Sequence, residues 1–282
     1  MSTRACEALA SFESYILKGP DAARFLQGQC TADLESLPTG ATRFAAHCNP
    51  KGRVISLFLV ARLADDQFAL RFPKDIADTA VAALQKYLVF SKATLSALNA
   101  QGFMCFEPSL PQTATPPLFV HHYGPALHEF WLPAEAANPP SADQGKLWHL
   151  ALIERGIVTL QSQWIEKWLP QELNLDQYGA VSFKKGCYTG QEVIARLHYK
   201  GKLKKHLRFG YVDGPASIAQ SLWDEDSGKR CGEIIDAVPV PDTDRSALLA
   251  LADDDAVEQN RCVTDVESRI KIEWQALSYA IP

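Results

Sequence analysis

The residues best suited to chemistry lie together between Phe183 and Arg196. Gly186 and Gly190 flank a Cys187-Tyr188-Thr189 core. Glycine permits positive φ and close backbone approach, which suits a tight loop that displays one side chain. Lys184 and Lys185 stand just before Cys187, and a helix-like stretch begins at Gln191; both would favour a thiolate. Cys187 is therefore a candidate reactive thiol. The alternative is a cysteine buried in a turn. No His or Asp pairs with it by spacing, so a protease-like dyad has no support.

Charge concentrates in the same place. From Lys184 to Arg208 there are eight Lys/Arg (184, 185, 196, 200, 202, 204, 205 and 208) against one acid, Glu192, with Tyr188 and Tyr199 interleaved. Such a cluster suits phosphates, an anionic cofactor tail or RNA; the alternative is a solvated basic face. Arg196, Lys200, Lys202, Lys204 and Lys205 are the candidate anion or RNA contacts. Other groups offer less. His121, His122 and His128 have no Cys or carboxylate at a familiar metal spacing and read as loop histidines. His47, Cys48 and Cys30 match no metal pattern. Trp164 and Trp168, four apart, read as packing residues if they share a helix. Asp253-Asp254-Asp255 reads as a solvated turn. Asn49-Pro50-Lys51-Gly52-Arg53 reads as a turn ahead of a strand and lacks the spacing of a phosphate loop.

The elements that must position these residues are partly legible. Asp21 caps a helix running to Gln29, with Ala22, Phe25 and Leu26 at helical spacing. Tyr15-Ile16-Leu17 is strand-like. Val54–Val60 is a nearly continuous apolar strand, and Phe68–Phe72 pairs with it through an Ala64-Asp65-Asp66 turn. Ile76–Tyr87 is an amphipathic helix. Pro108–Pro117 and Pro133–Ser141 read as connectors, and Leu118–Trp131 between them fits no single element. Trp148–Arg155 reads as a helix stopped at Gly156. Beyond Leu203 the pattern becomes short strands, Leu207–Val212, Gly232–Val238, Ala247–Leu251 and Arg269–Ile272, as in a small antiparallel sheet or barrel. The fold class is α+β.

Composition bounds the function. The chain has 282 residues, 47% hydrophobic and 22% charged, with a formal charge of -5. That balance excludes collagen-like, coiled-coil and largely disordered chains, and it argues against a whole-surface binder of nucleic acid. No run approaches the length of a membrane span, and the Met1–Ser14 segment lacks the apolar stretch of a signal peptide. Seven cysteines without a CxxC pair favour reduced thiols in a cytosol.

Lys185-Gly186-Cys187-Tyr188-Thr189-Gly190-Gln191-Glu192 resembles the signature of the YgfZ family, folate-binding proteins related to the aminomethyltransferase (T-protein) of the glycine cleavage system. Gly19-Pro20-Asp21-Ala22 with Phe25 to Asp33 is similar to the family's N-terminal block. Cys48 to Arg53 resembles its next turn, and Pro170-Gln171-Glu172-Leu173-Asn174-Leu175 the segment before the signature. These blocks span Gly19 to about Arg208 in the family's order.

The resemblance implies two interlocked ferredoxin-like subdomains forming a folate-binding channel over 1–202, split near 45 and 142. A C-terminal antiparallel β-barrel-like module would follow over 203–282. It also implies a ligand, tetrahydrofolate or a derivative. By position Trp148 matches the family's pterin-contacting tryptophan, Phe12 a second aromatic, and Glu154 the carboxylate that holds the pterin in T-proteins. A polyglutamate tail would give the basic cluster an anionic partner. One departure separates the relatives: T-proteins carry an Asp pair where this chain has Val54-Ile55-Ser56, and loss of a general acid/base typically forfeits ~10²–10⁴-fold in rate. The resemblance thus implies a folate-binding auxiliary protein for assembly or maintenance of iron–sulfur enzymes, acting indirectly on tRNA modification. In that reading Cys187 contacts client proteins transiently, Lys185 tunes its pKa, and Gln191 and Glu192 position the loop. No stably bound metal is expected, RNA is a lesser candidate partner, and a cytoplasmic monomer without membrane contact is implied. The alternative is a tetrahydrofolate-dependent one-carbon transferase.

Overall fold

The computed structural model describes residues 6–106, 113–137, 147–265 and 267–279. Parts of both proline-rich connectors therefore lie outside the described residues. The chain forms two units, neither of them contiguous. The first comprises Met1–Gly145, Leu160–Lys167 and Gly179–Val193, and the second Lys146–Thr159, Trp168–Tyr178 and Ile194–Pro282.

The first unit holds two antiparallel sheets. Its strands are β1 (Glu7–Ala8), β2 (Phe12–Lys18), β3 (Thr42–Cys48), β4 (Val54–Ala64), β5 (Gln67–Pro73), β6 (Thr94–Ala97), β7 (Ala100–Cys105), β8 (Phe119–Gly124) and β9 (Leu127–Pro133), with helices α1 (Ala22–Gln29) and α2 (Lys74–Leu88). The larger sheet has the order β3-β4-β5-β2-β6. Side chains alternate across a strand, so Phe68, Leu70 and Phe72 of β5 share one face, where they join a core with Phe58 of β4, Phe25 and Leu26 of α1, and Ala77, Ala80 and Leu84 of α2. A fully buried Phe or Leu contributes about 1.5–3 kcal/mol. That burial, rather than helix propensity, holds α1, which at eight residues is too short to persist alone. The Asp21 carboxylate makes no helix cap, contrary to the sequence reading; it accepts the Lys92 N–H at 2.7 Å instead.

The second sheet has the order β1-β7-β9-β8. Leu118–Trp131, undecided from sequence, forms the β8–β9 hairpin. Its pattern was obscured because β9 is buried on both faces, which removes the usual polar alternation. His121, His122 and His128 thus sit on strands, not in a loop. Arg71 of β5 ends on Glu129 of β9, with Nε and Nη2 each 2.9 Å from a carboxylate oxygen. Glu129 also accepts from Tyr123 Oη at 2.6 Å and Trp131 Nε1 at 2.7 Å. Burial alone would raise the Glu129 pKa, but the Arg71 charge and these donors hold it below the ordinary carboxylate value. A buried ion pair survives when every lone pair is used in this way.

The second unit carries α3 (Leu147–Ile153) and most of α4 (Gln191–Lys200), followed by β10 (Lys205–Asp213), β11 (Ser221–Asp224), β12 (Arg230–Pro239), β13 (Arg245–Asp253), α5 (Asp254–Glu258), β14 (Cys262–Val263) and β15 (Glu273–Gln275). The six strands form an antiparallel half-barrel in the order β14-β11-β12-β13-β10-β15 around Val212, Leu222, Ile234, Leu248, Ala250 and Ile272. Gly156 ends α3 at φ +68°, with Ile157 N–H reaching Leu152 O at 3.0 Å, a Schellman-type stop.

Two local expectations are corrected. Arg269–Ile272 is no strand: it contributes one bridge at Lys271, and β15 begins at Glu273. Asp253-Asp254-Asp255 is no solvated turn, because it ends β13, starts α5 and is ion-paired to Lys205, Arg208 and Arg261. Trp164 and Trp168 share no helix, but Trp164 is a packing residue as read: it closes a short 3-10 turn, Ser162–Trp164, and is fully buried. Among the described residues, no helix is long and apolar enough to cross a membrane.

Candidate functional site

The loop around Cys187 is fastened at both ends to segments far away in sequence. Lys185 Nζ donates to the carbonyls of Gln27 at 2.6 Å, Cys30 at 2.7 Å and Ala32 at 2.8 Å. These carbonyls cluster at the C-terminal end of α1, where unpaired acceptors and the helix dipole favour a cation. An ammonium has three protons, and all three are committed here. Burial pulls the Lys185 pKa down to about 8, still above neutrality, so the group donates as a cation. Lys185 thereby closes the C-terminal end of α1. Nearby, Thr189 N–H reaches Gly28 O at 3.2 Å, and Lys185 Nζ lies 4.9 Å from the centre of the Tyr188 ring.

The two glycines differ. Gly186 has open space where a Cβ would stand, so its sequence reading as a position of close approach does not hold. Gly190 has φ +83°, and a Cβ there would lie 2.6 Å from Asn49 O and 2.9 Å from Gly52 Cα. The partner is the Asn49–Arg53 turn, in which Asn49 Oδ1 accepts from Lys51 N–H at 2.9 Å and Arg53 N–H at 3.0 Å, an Asx turn as its sequence suggests. The signature loop and this turn therefore form one packed object. Gln191 and the exposed Glu192 open α4, the acid in its first turn, where the helix dipole favours it.

Cys187 stands exposed on this anchored loop. Cys30 and Cys48 are fully buried, and burial pushes the Cys30 thiol up to about 12 and Cys48 higher still, which makes them inert. Tyr188 is buried with its Oη unpaired, and burial raises its pKa.

The candidate folate contacts distribute as follows. In the second unit, Trp148 lies on α3 at 5% exposure, and its neighbour His149 ties α3 to β12 through Asp236 at 2.9 Å. Glu154, just past α3, accepts from Tyr211 Oη of β10 at 2.8 Å through Oε1. Tyr211, absent from the sequence reading, thus orients this carboxylate; nothing in its local sequence marks it. Burial and the Glu154 contact raise its pKa to about 12, so it remains a donor. In the first unit, Phe12 is 6% exposed with the Arg71 guanidinium 4.3 Å over its ring. One of its faces is thereby taken. Glu154, with a fixed carboxylate, fits a hydrogen-bonding partner such as the N–H edge of a pterin.

The basic run does not act as one patch. Lys185 is a fastener, Lys205 pairs with Asp253 at 3.5 Å, and Arg208 pairs with Asp254 at 2.7 Å, an acid shared with His206 at 2.8 Å. Arg196 and Lys200 are exposed on α4. Lys202 and Lys204 line a cleft of about 600 Å³ in the second unit, whose acids Asp253, Asp254 and Asp255 are engaged by Lys205, Arg208, His206 and Arg261. His122 and His128 meet each other, Nδ1 to Nδ1 at 2.7 Å. Among the described residues, no three His, Cys, Asp or Glu gather as metal ligands.

The family described as the GCVT N-terminal domain matches residues 7–104. A Sodalis glossinidius protein named tRNA-modifying protein YgfZ is 31% identical over 300 residues, covering 94% of this chain and 90% of that one. A Klebsiella pneumoniae protein of the same name is 31% identical over 261 residues, covering 80% and 78% respectively. The crystal structure of glycine cleavage system aminomethyltransferase T from Bartonella henselae superposes with a TM-score of 0.74 at 17% identity, covering 98% of this chain and 86% of that one. The last likeness concerns the fold alone.

Proposed function

The chain belongs to the YgfZ family of T-protein relatives, and on that premise we propose that it is a folate-binding auxiliary protein supporting iron–sulfur enzymes, with an indirect effect on tRNA modification. The observation that carries this reading is the signature loop itself. Lys185, Tyr188 and Gly190 are spent on fastening it, and Cys187 is left as the exposed thiol at its tip. A soft sulfur ligand held on a rigid loop suits transient contact with an iron–sulfur client. Trp148 and Glu154 are the proposed folate contacts, with Tyr211 fixing the carboxylate. Phe12 is the proposed second aromatic contact, with the Arg71 guanidinium over its ring. Tetrahydrofolate, when bound, would supply a one-carbon carrier; the protein's own part is to hold its pterin. A channel framed by two interlocked ferredoxin-like subdomains, and action in the cytoplasm, belong to the same proposal. Arg196, Lys200, Lys202 and Lys204 are its candidate contacts for an anionic folate tail, with RNA the lesser candidate partner.

The alternative, a one-carbon transferase, is disfavoured because Ser56 and its neighbours supply no carboxylate. Calorimetry with tetrahydrofolate on the wild type, Trp148→Ala and Cys187→Ala tests the reading. Saturable binding lost in Trp148→Ala and kept in Cys187→Ala is expected. No binding by the wild type would end the folate reading, and turnover of an aminomethyl donor would favour the transferase.

A further inference from the structure

The sulfurs of Cys231 and Cys262 lie 3.6 Å apart in an S–H···S hydrogen bond. Cys231 belongs to β12 and Cys262 to β14, the two strands that flank β11. Both side chains sit in the core of the half-barrel, at 3% and 0% exposure. Cys231 nevertheless also lines the cleft that carries Lys202, Lys204 and Lys229. The folate reading gives neither thiol a role.

Two features separate this pair from ordinary buried cysteines. An S–S bond is ~2.0 Å long, so the sulfurs must approach by only about 1.6 Å to form one. The backbone on both sides can yield that distance. β14 is a two-residue strand at the sheet edge. The β11–β12 register shifts between Leu222 and Trp223, beside Cys231, and a bulge of this kind interrupts the hydrogen-bond ladder.

We propose that Cys231 and Cys262 are an oxidisable dithiol of the folded protein, closed to an intramolecular disulfide by a hydroperoxide that enters through the cleft. The Cys231 sulfur attacks the peroxide oxygen, the O–O bond breaks, and one water leaves, giving a sulfenic acid on Cys231. The Cys262 sulfur then attacks the Cys231 sulfur and expels the second oxygen as water. Two thiol hydrogens and one hydrogen peroxide become two waters and one S–S bond, with the sulfurs oxidised by two electrons and the peroxide reduced by two. The order of attack follows from position, since Cys231 faces the cleft and Cys262 lies behind it. The S–H···S contact between them lowers the Cys231 pKa and raises that of Cys262, which favours the same order. The cross-link would pin β14 to β12 beneath the three lysines.

The test uses the folded full chain. Wild-type protein is treated with hydrogen peroxide, its remaining thiols are alkylated, and its peptides are mapped by mass spectrometry. A Cys231–Cys262 cross-linked peptide that disappears on reduction is expected, independently of whatever happens at Cys187. Cys231→Ala and Cys262→Ala, checked for folding by circular dichroism, should each abolish it. Oxidation of Cys187 with no cross-link, or a cross-link that forms only in denaturant, would overturn the proposal. Because the wild type carries the primary readout, a poorly folding variant cannot rescue it.

Discussion

Replacing Lys185 by methionine removes the ammonium and keeps most of the stem. The carbonyls of Gln27, Cys30 and Ala32 lose a charged donor at 2.6–2.8 Å. Removing one partner of such a bond costs about 1–3 kcal/mol each. Against that stands the relief of a buried cation, whose pKa burial has pulled to about 8; at 1.36 kcal/mol per pKa unit that relief is about 3 kcal/mol. The net expectation is a destabilisation on the order of 3 kcal/mol, read from urea unfolding followed by tryptophan fluorescence. Lys184→Met is the control, because Lys184 is exposed, and it should change stability by less than about 0.5 kcal/mol, as surface substitutions do. Cys187 alkylation, followed across pH in the same variants, separates the two views of Lys185. A fastener leaves the pH profile of alkylation in place; a tuner of the thiol shifts it. Unchanged stability in Lys185→Met together with a shifted alkylation profile would refute the reasoning.

Gly190→Ala forces a Cβ to 2.6 Å from Asn49 O at φ +83° and should cost more than about 2 kcal/mol. Gly186→Ala meets nothing within 4 Å and should unfold at the wild-type urea midpoint. Acid should destabilise the first unit: burial holds His47 and His121 neutral, with pKa values of about 4 against 6.5 unperturbed. Their contribution is complete above pH 6.5 and falls as the pH drops toward 4, by on the order of 3 kcal/mol for each, which urea midpoints across that window would show. Arg71→Met leaves Glu129 charged in the interior and should cost about 3–5 kcal/mol, and Arg71→Met with Glu129→Leu together should recover part of it in the same assay. Tyr211→Phe should cost about 1 kcal/mol and weaken tetrahydrofolate up to tenfold by calorimetry if Glu154 holds the pterin.

Elements with one strong period were legible in the sequence. α2 shows its apolar stripe, β4 its apolar run, and Gly156 its helix stop, because each is decided by residues within a few positions. β9 was hidden because a strand covered on both faces loses the polar alternation that marks a strand. β15 was misplaced because its short pairing is with β10, more than sixty residues earlier, a partner that no local window contains. The signature loop illustrates the same limit at the site. Its cysteine and its left-handed glycine could be read from type and spacing. The lysine between basic and sulfur neighbours suggested local electrostatics, whereas its acceptors lie 153–158 residues back along the chain. Tyr211 was equally invisible, since its role rests on a single hydroxyl meeting a carboxylate 57 positions away.

The chain's repeated crossing between units bears on how the protein is made. Leu160–Lys167 and Gly179–Val193 complete the first unit, and the second of these segments brings Lys185 and Gly190, which close α1 and pack on the Asn49 turn. During synthesis, an N-terminal domain ordinarily folds as soon as it has emerged. Here α1 waits for its C-terminal cation until residue 185 has been made, after the second unit's first two segments already exist. No single cut separates the two units, so fragments ending near 145 should be poor folders. The displayed thiol therefore arrives on the segment that finishes the first unit, which ties presentation of Cys187 to completion of the fold around it.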